Sequence, residues 1–315
     1  MNNKKNNILI CGALVYDHIM DFPGKFSEQI LPEKTHILNL AFTVGGVRES
    51  FGGTAGNIAY NLAMLGERAK IMAVVGKDFG KYKKWLLKNK IDISGVKVVK
   101  DEMTAKFYVI TDRADNQIAA YYPGSKTSDV FGDVGRLKQY ALAIIAPDIV
   151  ARMREYAKIF RQNAVPYIFD PGQQVAYYSA SELRYSIKGA KMLIGNEYEI
   201  RLILNKLKIK LATLKKLVEI LVVTKGGRGA EIYNQGERML IPAAKKKAVA
   251  DPTGGGDAVR AGFIKGIIMG WDLKKCAKLA MVVSAYAVEN QGTQMHRFTW
   301  KEVEKRYEGN YKEKL

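Results

Sequence analysis

Apolar positions in this chain alternate between two textures. Short, nearly unbroken runs read as strands covered on both faces, the kind that builds parallel sheets: ILICGALV (8–15), KIMAVVG (70–76), ALAIIAP (141–147), VPYIFDP (165–171), KMLIGN (191–196) and LVEILVVTKGG (217–227). Between them the spacing turns helical. GGTAGNIAYNLAMLG (52–66) sets Ala55, Ile58, Ala59, Leu62 and Leu65 on one stripe, with Gly66 placed to end it. KDFGKYKKWLLKNK (77–90) is amphipathic with a basic outer face. IVARMREYAKIFRQN (149–163) and SASELRYSIKGA (179–190) follow strands, the second with Ser179 or Ser181 as its cap, and NEYEIRLILNKL (196–207) opens another helix. From Asp257 to Asn290 two helices are expected, broken near Gly270–Trp271. Alternation of this kind predicts an α/β chain with a doubly wound, mainly parallel sheet and helices on both faces.

Two stretches depart from that rhythm. AKFYVITD (105–112) and NQIAAYY (116–122) are rich in β-branched and aromatic residues, with RADN as the turn of a hairpin. Together with part of the irregular 17–50 region they predict a small separate sheet. AEIYNQGERMLIP (230–242) reads as a second hairpin around Gln235–Gly236. In doubly wound folds ligands sit beyond the C-terminal ends of the strands. Asp17, GGTAGN, NEYE, TKGGRG and DPTGGGD all fall there.

Composition narrows the class more than the chemistry. The 315 residues suit one large α/β unit with an appendage, and 48% apolar with 26% charged residues is ordinary for a globular protein. The two cysteines, Cys11 and Cys276, lie far apart and read as reduced core thiols of a cytoplasmic protein. The start MNNKKNN is polar and the apolar run behind it stops by Asp17, so neither a signal peptide nor a membrane span is expected. His18, His36 and His296 have no zinc-like spacing. The net charge of +19 raises nucleic acid as a partner, but the lysines are scattered and no aromatic-interleaved basic stripe occurs. No nucleic-acid partner is therefore expected, and the charge reads as solvated surface that favours phosphorylated small ligands.

The stretch ADPTGGGDAVRAGF (250–263) carries the most specific chemistry. Pro252 ends whatever strand precedes it. Gly254, Gly255 and Gly256 run into a helical pattern, and backbone N–H groups at a helix start form an anion site. Asp257 lies in the first turn, where the helix dipole holds a carboxylate ionised and so only weakly basic. Arg260, three residues on, shares its face and is in reach of a phosphate. Read alone, the stretch suits either a flexible turn with a capping Asp or an anion cradle beside a base. No GxxxxGK[ST], GxGxxG after the first strand, or GxSxG is present, which removes P-loop, dinucleotide-binding and hydrolase-elbow readings.

Four motifs in order resemble the ribokinase-like (PfkB) carbohydrate kinases: GGTAGNIAYNLAMLG, GNEYE (an NxxE motif), TKGGRGA, and DPTGGGDAVRAGF. The resemblance spans nearly the whole chain. It implies one ribokinase-like domain over 1–315 with a β-sheet lid from about 14–50 and 103–123. It implies that Asp257 takes the acceptor hydroxyl's proton, with the amides of Gly254, Gly255 and Gly256 as anion hole. Position 255 is usually Ala or a similar small residue in the family, so Gly255 is a departure that is expected to make the loop more mobile before ATP binds. Asn196 and Glu199 would organise Mg²⁺ and its waters; Thr224, Gly226, Gly227 and Gly229 would line the ATP site; Asp17, Gly53 and Asn57 would bind sugar hydroxyls; a monovalent cation such as K⁺ beside the 251–253 loop is a possibility the family offers, which no side-chain pattern here requires. The long run CGALVYDHIMDFPGKFSEQILPEKTHILNLAFTVGGVRESFGGTAGN, with TAKF, QIAAYYPG and GTQMH, resembles the bacterial adenosine kinase branch. That makes adenosine the expected acceptor, with Phe107 and Tyr121 stacking on its base, although some members carry Phe at the position of Tyr121. The alternatives are a ribokinase or other sugar kinase, and a non-catalytic nucleotide- or nucleic-acid-binding protein. Pairing of two copies through open lid edges is a further expectation.

Overall fold

The computed structural model describes residues 7–30, 37, 39–127 and 137–315; Pro32 and His36 lie outside the described residues. In chain order the strands are β1 (Asn7–Cys11), β2 (Val15–Asp21), β3 (Gly46–Gly52), β4 (Ala69–Gly76), β5 (Asp92–Val99), β6 (Ala105–Thr111), β7 (Gln117–Tyr122), β8 (Tyr140–Ile145), β9 (Tyr167–Phe169), β10 (Met192–Asn196), β11 (Ile220–Thr224), β12 (Ala230–Asn234) and β13 (Glu237–Ile241). The helices are α1 (Thr54–Met64), α2 (Gly80–Lys88), α3 (Val150–Gln162), α4 (Ala180–Ile187), α5 (Glu197–Leu207), α6 (Leu211–Leu214), α7 (Gly255–Ile268), α8 (Leu273–Val288) and α9 (Trp300–Tyr311).

A nine-stranded sheet has the order β13-β12-β11-β10-β9-β8-β1-β4-β5. It is parallel from β5 to β11, and the β12–β13 hairpin adds antiparallel strands at one edge. Alternation along each strand divides the core in two. Ile8, Ile10 and Ile144 face a layer with α1, α2, α7, α8 and α9, whereas Leu9, Cys11 and Ile145 face α3, α4 and α5. This is why the strands read as continuous apolar runs. The chain order reverses between β1 and β8, the kind of switch point at which open α/β sheets leave a crevice.

The second sheet has the order β3-β2-β6-β7, with β2 and β6 parallel and the outer pairs antiparallel. The apolar run 8–15 is not one strand. β1 stops at Cys11, and Gly12, Ala13 and Leu14 carry the chain across to β2 in the other sheet. Hydrophobicity continues through the crossing because both sheets bury that corner. β5 was not visible in the sequence, since DISGVKVV alternates with polar residues as a sheet-edge strand does. Nor was α9, which is announced only by a capping box in which Thr299 accepts from the Glu302 amide and Glu302 accepts from the Thr299 amide. Ser179, not Ser181, caps α4. Among the described residues no helix is long and apolar enough to cross a membrane.

Candidate active site

Four strand ends and two helix starts converge on one cleft. α1 opens at Gly53, whose φ of 84° lies in the left-handed region. One turn on, Asn57 is buried, and its Nδ2 donates to Asp257 Oδ2 at 2.8 Å. Asp257 sits in the first turn of α7, whose start is set by Gly254 at φ 78°. Residues 200 positions apart are thus joined by one hydrogen bond between two helix N-termini. Asn57 is held in turn: its Oδ1 accepts from Gln294 Nε2 at 3.0 Å, and that nitrogen lies 2.6 Å from the Tyr82 hydroxyl. Gln294 Oε1 accepts from Trp85 Nε1 at 2.9 Å, and the Tyr82 hydroxyl donates to the Gly52 carbonyl at 2.7 Å. A buried polar chain of this kind, with its members paired, orients Asn57 and through it the Asp257 carboxylate. Nothing in the sequence marks Gln294, Tyr82 or Trp85 for this role. Gln294 lies within GTQMH, but its partners are more than 200 positions away.

Burial pushes the Asp257 carboxyl up to about 7. The Asn57 hydrogen bond and the Arg260 charge pull the other way, while Asp170 and Glu199 add to the rise. This overturns the expectation of a weakly basic carboxylate: desolvation at the cleft floor outweighs the helix dipole. Asp17 is also raised to about 7, first by burial and then by the charges of Asp257 and Asp251. Two acids therefore bracket the cleft with proton affinities near neutrality.

Arg260 is placed differently from the expectation that it contacts a phosphate. Its guanidinium is buried and bidentate to Asp170, with Nε to Oδ2 at 2.8 Å and Nη2 to Oδ1 at 3.1 Å. Nη1 donates to the Gly256 carbonyl at 3.1 Å. Every guanidinium nitrogen is engaged, so Arg260 ties the start of α7 to the end of β9. Asp170, not singled out from sequence, is the partner that burial of this arginine requires.

Asn196 and Glu199 form a reciprocal capping box on α5: the Asn196 side chain accepts from the Glu199 amide and Glu199 Oε2 accepts from the Asn196 amide, each at 2.8 Å. Glu199 is buried, and burial followed by the nearby Asp170 charge raises its carboxyl. Asn196 pairs in register with Thr224 at the ends of β10 and β11. Thr224, Gly226, Gly227 and Gly229 line a cavity of about 210 Å³ together with Gly255 and Gly256. The expected nucleotide loop and the expected anion hole thus share one wall, while Asn196 stands beside the cavity as a helix cap. Asp251 orients the neighbouring loop, its Oδ1 accepting from the Thr253 amide at 2.8 Å and its Oδ2 from the Gly292 amide at 3.1 Å.

On the small sheet the register aligns Asp17 with Phe107, and Phe107 with Tyr121. All three therefore project from one face in a single row across β2, β6 and β7. Tyr121 is 47% exposed. Gly52 makes room for this row, because a Cβ there would lie 1.9 Å from Asp17 Oδ2. If Asp17 binds the acceptor as the sequence leads one to expect, Gly52→Ala should raise KM for the acceptor at least about tenfold, with KM for the nucleotide little changed, since losing one hydrogen bond to a substrate hydroxyl costs on that order. Initial-rate kinetics with each substrate varied in turn checks this; an unchanged acceptor KM would remove Asp17 from the acceptor pocket.

The comparisons with known proteins concern the chain as a whole. A family model described as pfkB family carbohydrate kinase matches residues 13–298. A nucleoside kinase of Methanocaldococcus jannaschii is 30% identical over 310 residues, covering 98% of this chain and 99% of that one. The structure of Burkholderia thailandensis nucleoside kinase in complex with inosine is 35% identical with a TM-score of 0.88, covering 98% of this chain and 99% of that one. The same enzyme with ADP and inosine is 36% identical with a TM-score of 0.85, covering 98% and 97%. The family match over most of the length, on a fold and a cleft that fit it, shows that the chain belongs to the pfkB family of carbohydrate kinases.

Proposed function

We propose that this protein is a nucleoside kinase that transfers the γ-phosphate of ATP to the 5′-hydroxyl of a purine nucleoside, adenosine first among them. The observation that carries the reading is the Asn57–Asp257 hydrogen bond, made by the residue that directly follows Gly255 and Gly256 in the wall of a glycine-lined cavity. It sets one basic carboxylate beside the helix-start amides of Gly254 and Gly256, with the Gly255 amide donating to the Pro252 carbonyl at 3.3 Å, a weak bond that a phosphate would replace; phosphoryl transfer between oxygens rests on such positioning and charge stabilisation. Asp257 takes the hydroxyl proton. The amides of Gly254, Gly255 and Gly256 face the transferring phosphate. Thr224, Gly226, Gly227 and Gly229 hold the nucleotide. Asp17, Gly53 and Asn57 take the sugar, and Phe107 and Tyr121 offer aromatic faces to the base. Closure of the small sheet over the cleft would exclude water.

Mg²⁺ fits as a hydrated ion. Among the described residues no cluster of three acidic, His or Cys side chains exists, and Arg260 occupies both Asp170 oxygens. Glu199 would hold the ion through water, as Mg²⁺ commonly binds beside phosphates. When bound it neutralises charge on the nucleotide phosphates. K⁺ beside the 251–253 loop would meet backbone carbonyls, because the Asp251 carboxylate is already hydrogen-bonded. β7 is exposed along its whole length, which supports pairing of two copies through the lid. The buried free thiols of Cys11 and Cys276 suit the cytoplasm.

ADP formation with adenosine, inosine, ribose and fructose tests the reading. A purine nucleoside should exceed ribose in kcat/KM by at least about tenfold, because the pocket holds aromatic surface that only a base uses. Preference for ribose or a hexose would remove the nucleoside assignment and leave the kinase one. The inosine complex of the similar enzyme makes inosine the specific competitor, and a preference for it would replace adenosine.

A further inference from the structure

We propose that Val288 is a positioning residue for the phosphate-facing loop, and that its side chain is the reason position 255 is glycine. The inference rests on the kinase reading above. Gly255 begins α7, and unlike Gly254 its backbone is not in the left-handed region. Backbone conformation therefore permits an L-residue there. Space does not: a Cβ at Gly255 would lie 2.7 Å from Val288 Cγ1 and 3.4 Å from Ser284 Oγ. Val288 is the last residue of α8, and a β-branched side chain on a helix has essentially one rotamer, so Cγ1 cannot swing aside cheaply. The same residue's carbonyl accepts from the amides of Ala250 at 2.9 Å and Asp251 at 3.3 Å. The end of α8 thus holds the 250–256 loop at both of its ends, by a carbonyl at the start and a methyl against the Gly255 Cα. Val288, Ser284, Gly255 and Gly256 also share the wall of the candidate nucleotide cavity. One side chain therefore borders the candidate nucleotide cavity and limits how closely the Gly255 turn, whose amide donates to the Pro252 carbonyl at 3.3 Å, packs against the end of α8.

A double-variant cycle of Gly255→Ala and Val288→Ala tests this, read by turnover, ADP affinity from calorimetry, and melting temperature. With Val288 present, Gly255→Ala should turn over about tenfold more slowly and melt lower, the size of coupling expected for residues in contact. Adding Val288→Ala should speed Gly255→Ala by about tenfold and bring its melting temperature to or above that of Val288→Ala alone, since alanine in a permitted helix position ordinarily stabilises. A positioning role predicts a larger loss in turnover than in ADP affinity. The proposal is overturned if Gly255→Ala turns over like the parent, or if the double variant is no faster than Gly255→Ala. Should the parent phosphorylate no acceptor, the kinase reading fails instead. The melting temperatures of the four proteins still decide the coupling between the two positions.

Discussion

Asp257→Asn is expected to lower kcat by about 10²–10⁴, the usual contribution of a positioned general base, while ADP still binds as in the parent. Asparagine keeps an oxygen for the Asn57 amide, which stands 2.8 Å from Asp257 Oδ2, so the loop and the cavity behind it should persist. What is lost is a group able to take a proton from the acceptor hydroxyl. The parent's pH dependence gives the same group a second signature. Burial favours the neutral acid and places its midpoint at about 7. Below that pH the carboxyl is protonated and cannot accept, so kcat/KM should rise with pH through about 7 and level off above it. The Asn variant should keep only the part of that limb contributed by Asp17, which is raised to the same range. A coupled assay of ADP formation across pH 5.5–9, with calorimetric ADP titration of both proteins, measures all three expectations. Turnover within tenfold of the parent, or an unchanged pH limb in the variant, would remove Asp257 as the base.

The second large effect concerns stability. Arg260→Met leaves Asp170 buried without its bidentate partner, in a place where the two side chains are 8% and 3% exposed. Removing one member of a buried pair commonly costs about 3–5 kcal/mol, because the remaining charge has lost its water and its partner. For a chain of 315 residues that corresponds to a melting temperature lower by about 5–8 °C. Arg260→Lys should recover only part of the loss, since an ammonium cannot match the fork that engages both Asp170 oxygens and the Gly256 carbonyl. Thermal denaturation of the three proteins separates this from a phosphate-binding role. If Arg260→Lys melts like the parent while its KM for ATP rises sharply, the guanidinium serves the nucleotide and not the fold.

These two residues show where reading the chain succeeded and where it stopped. DPTGGGD marked the right turn, because glycines followed by helical spacing and an acid make a local signal. The proton affinity of Asp257 was misjudged, since the helix dipole is local whereas burial depends on everything packed around the carboxyl. Arg260 falls on the expected helix, and its guanidinium pairs with Asp170. The (i, i+3) relation to Asp257 is visible in sequence, but Asp170, 90 positions away, is not. The aromatic pair fared better. Phe107 and Tyr121 were marked as strand residues on either side of a hairpin turn, and hairpin geometry is enough to set them opposite each other.

By itself the sequence determined the alternation of strands and helices, the hairpins at 105–122 and 230–242, the glycine-rich helix starts and the family to which they belong. The elements depend on neighbours within a few residues, where periodicity and backbone freedom act directly, whereas the family rests on the resemblance of four motifs in order. Only the tertiary structure decided that 8–15 divides between two sheets, that Gln294, Tyr82 and Trp85 brace Asn57, that Arg260 serves Asp170, and that Val288 leaves no room for a side chain at position 255. Each of these depends on groups brought together across tens to hundreds of positions, where desolvation and excluded volume act on distances that the order of residues does not encode.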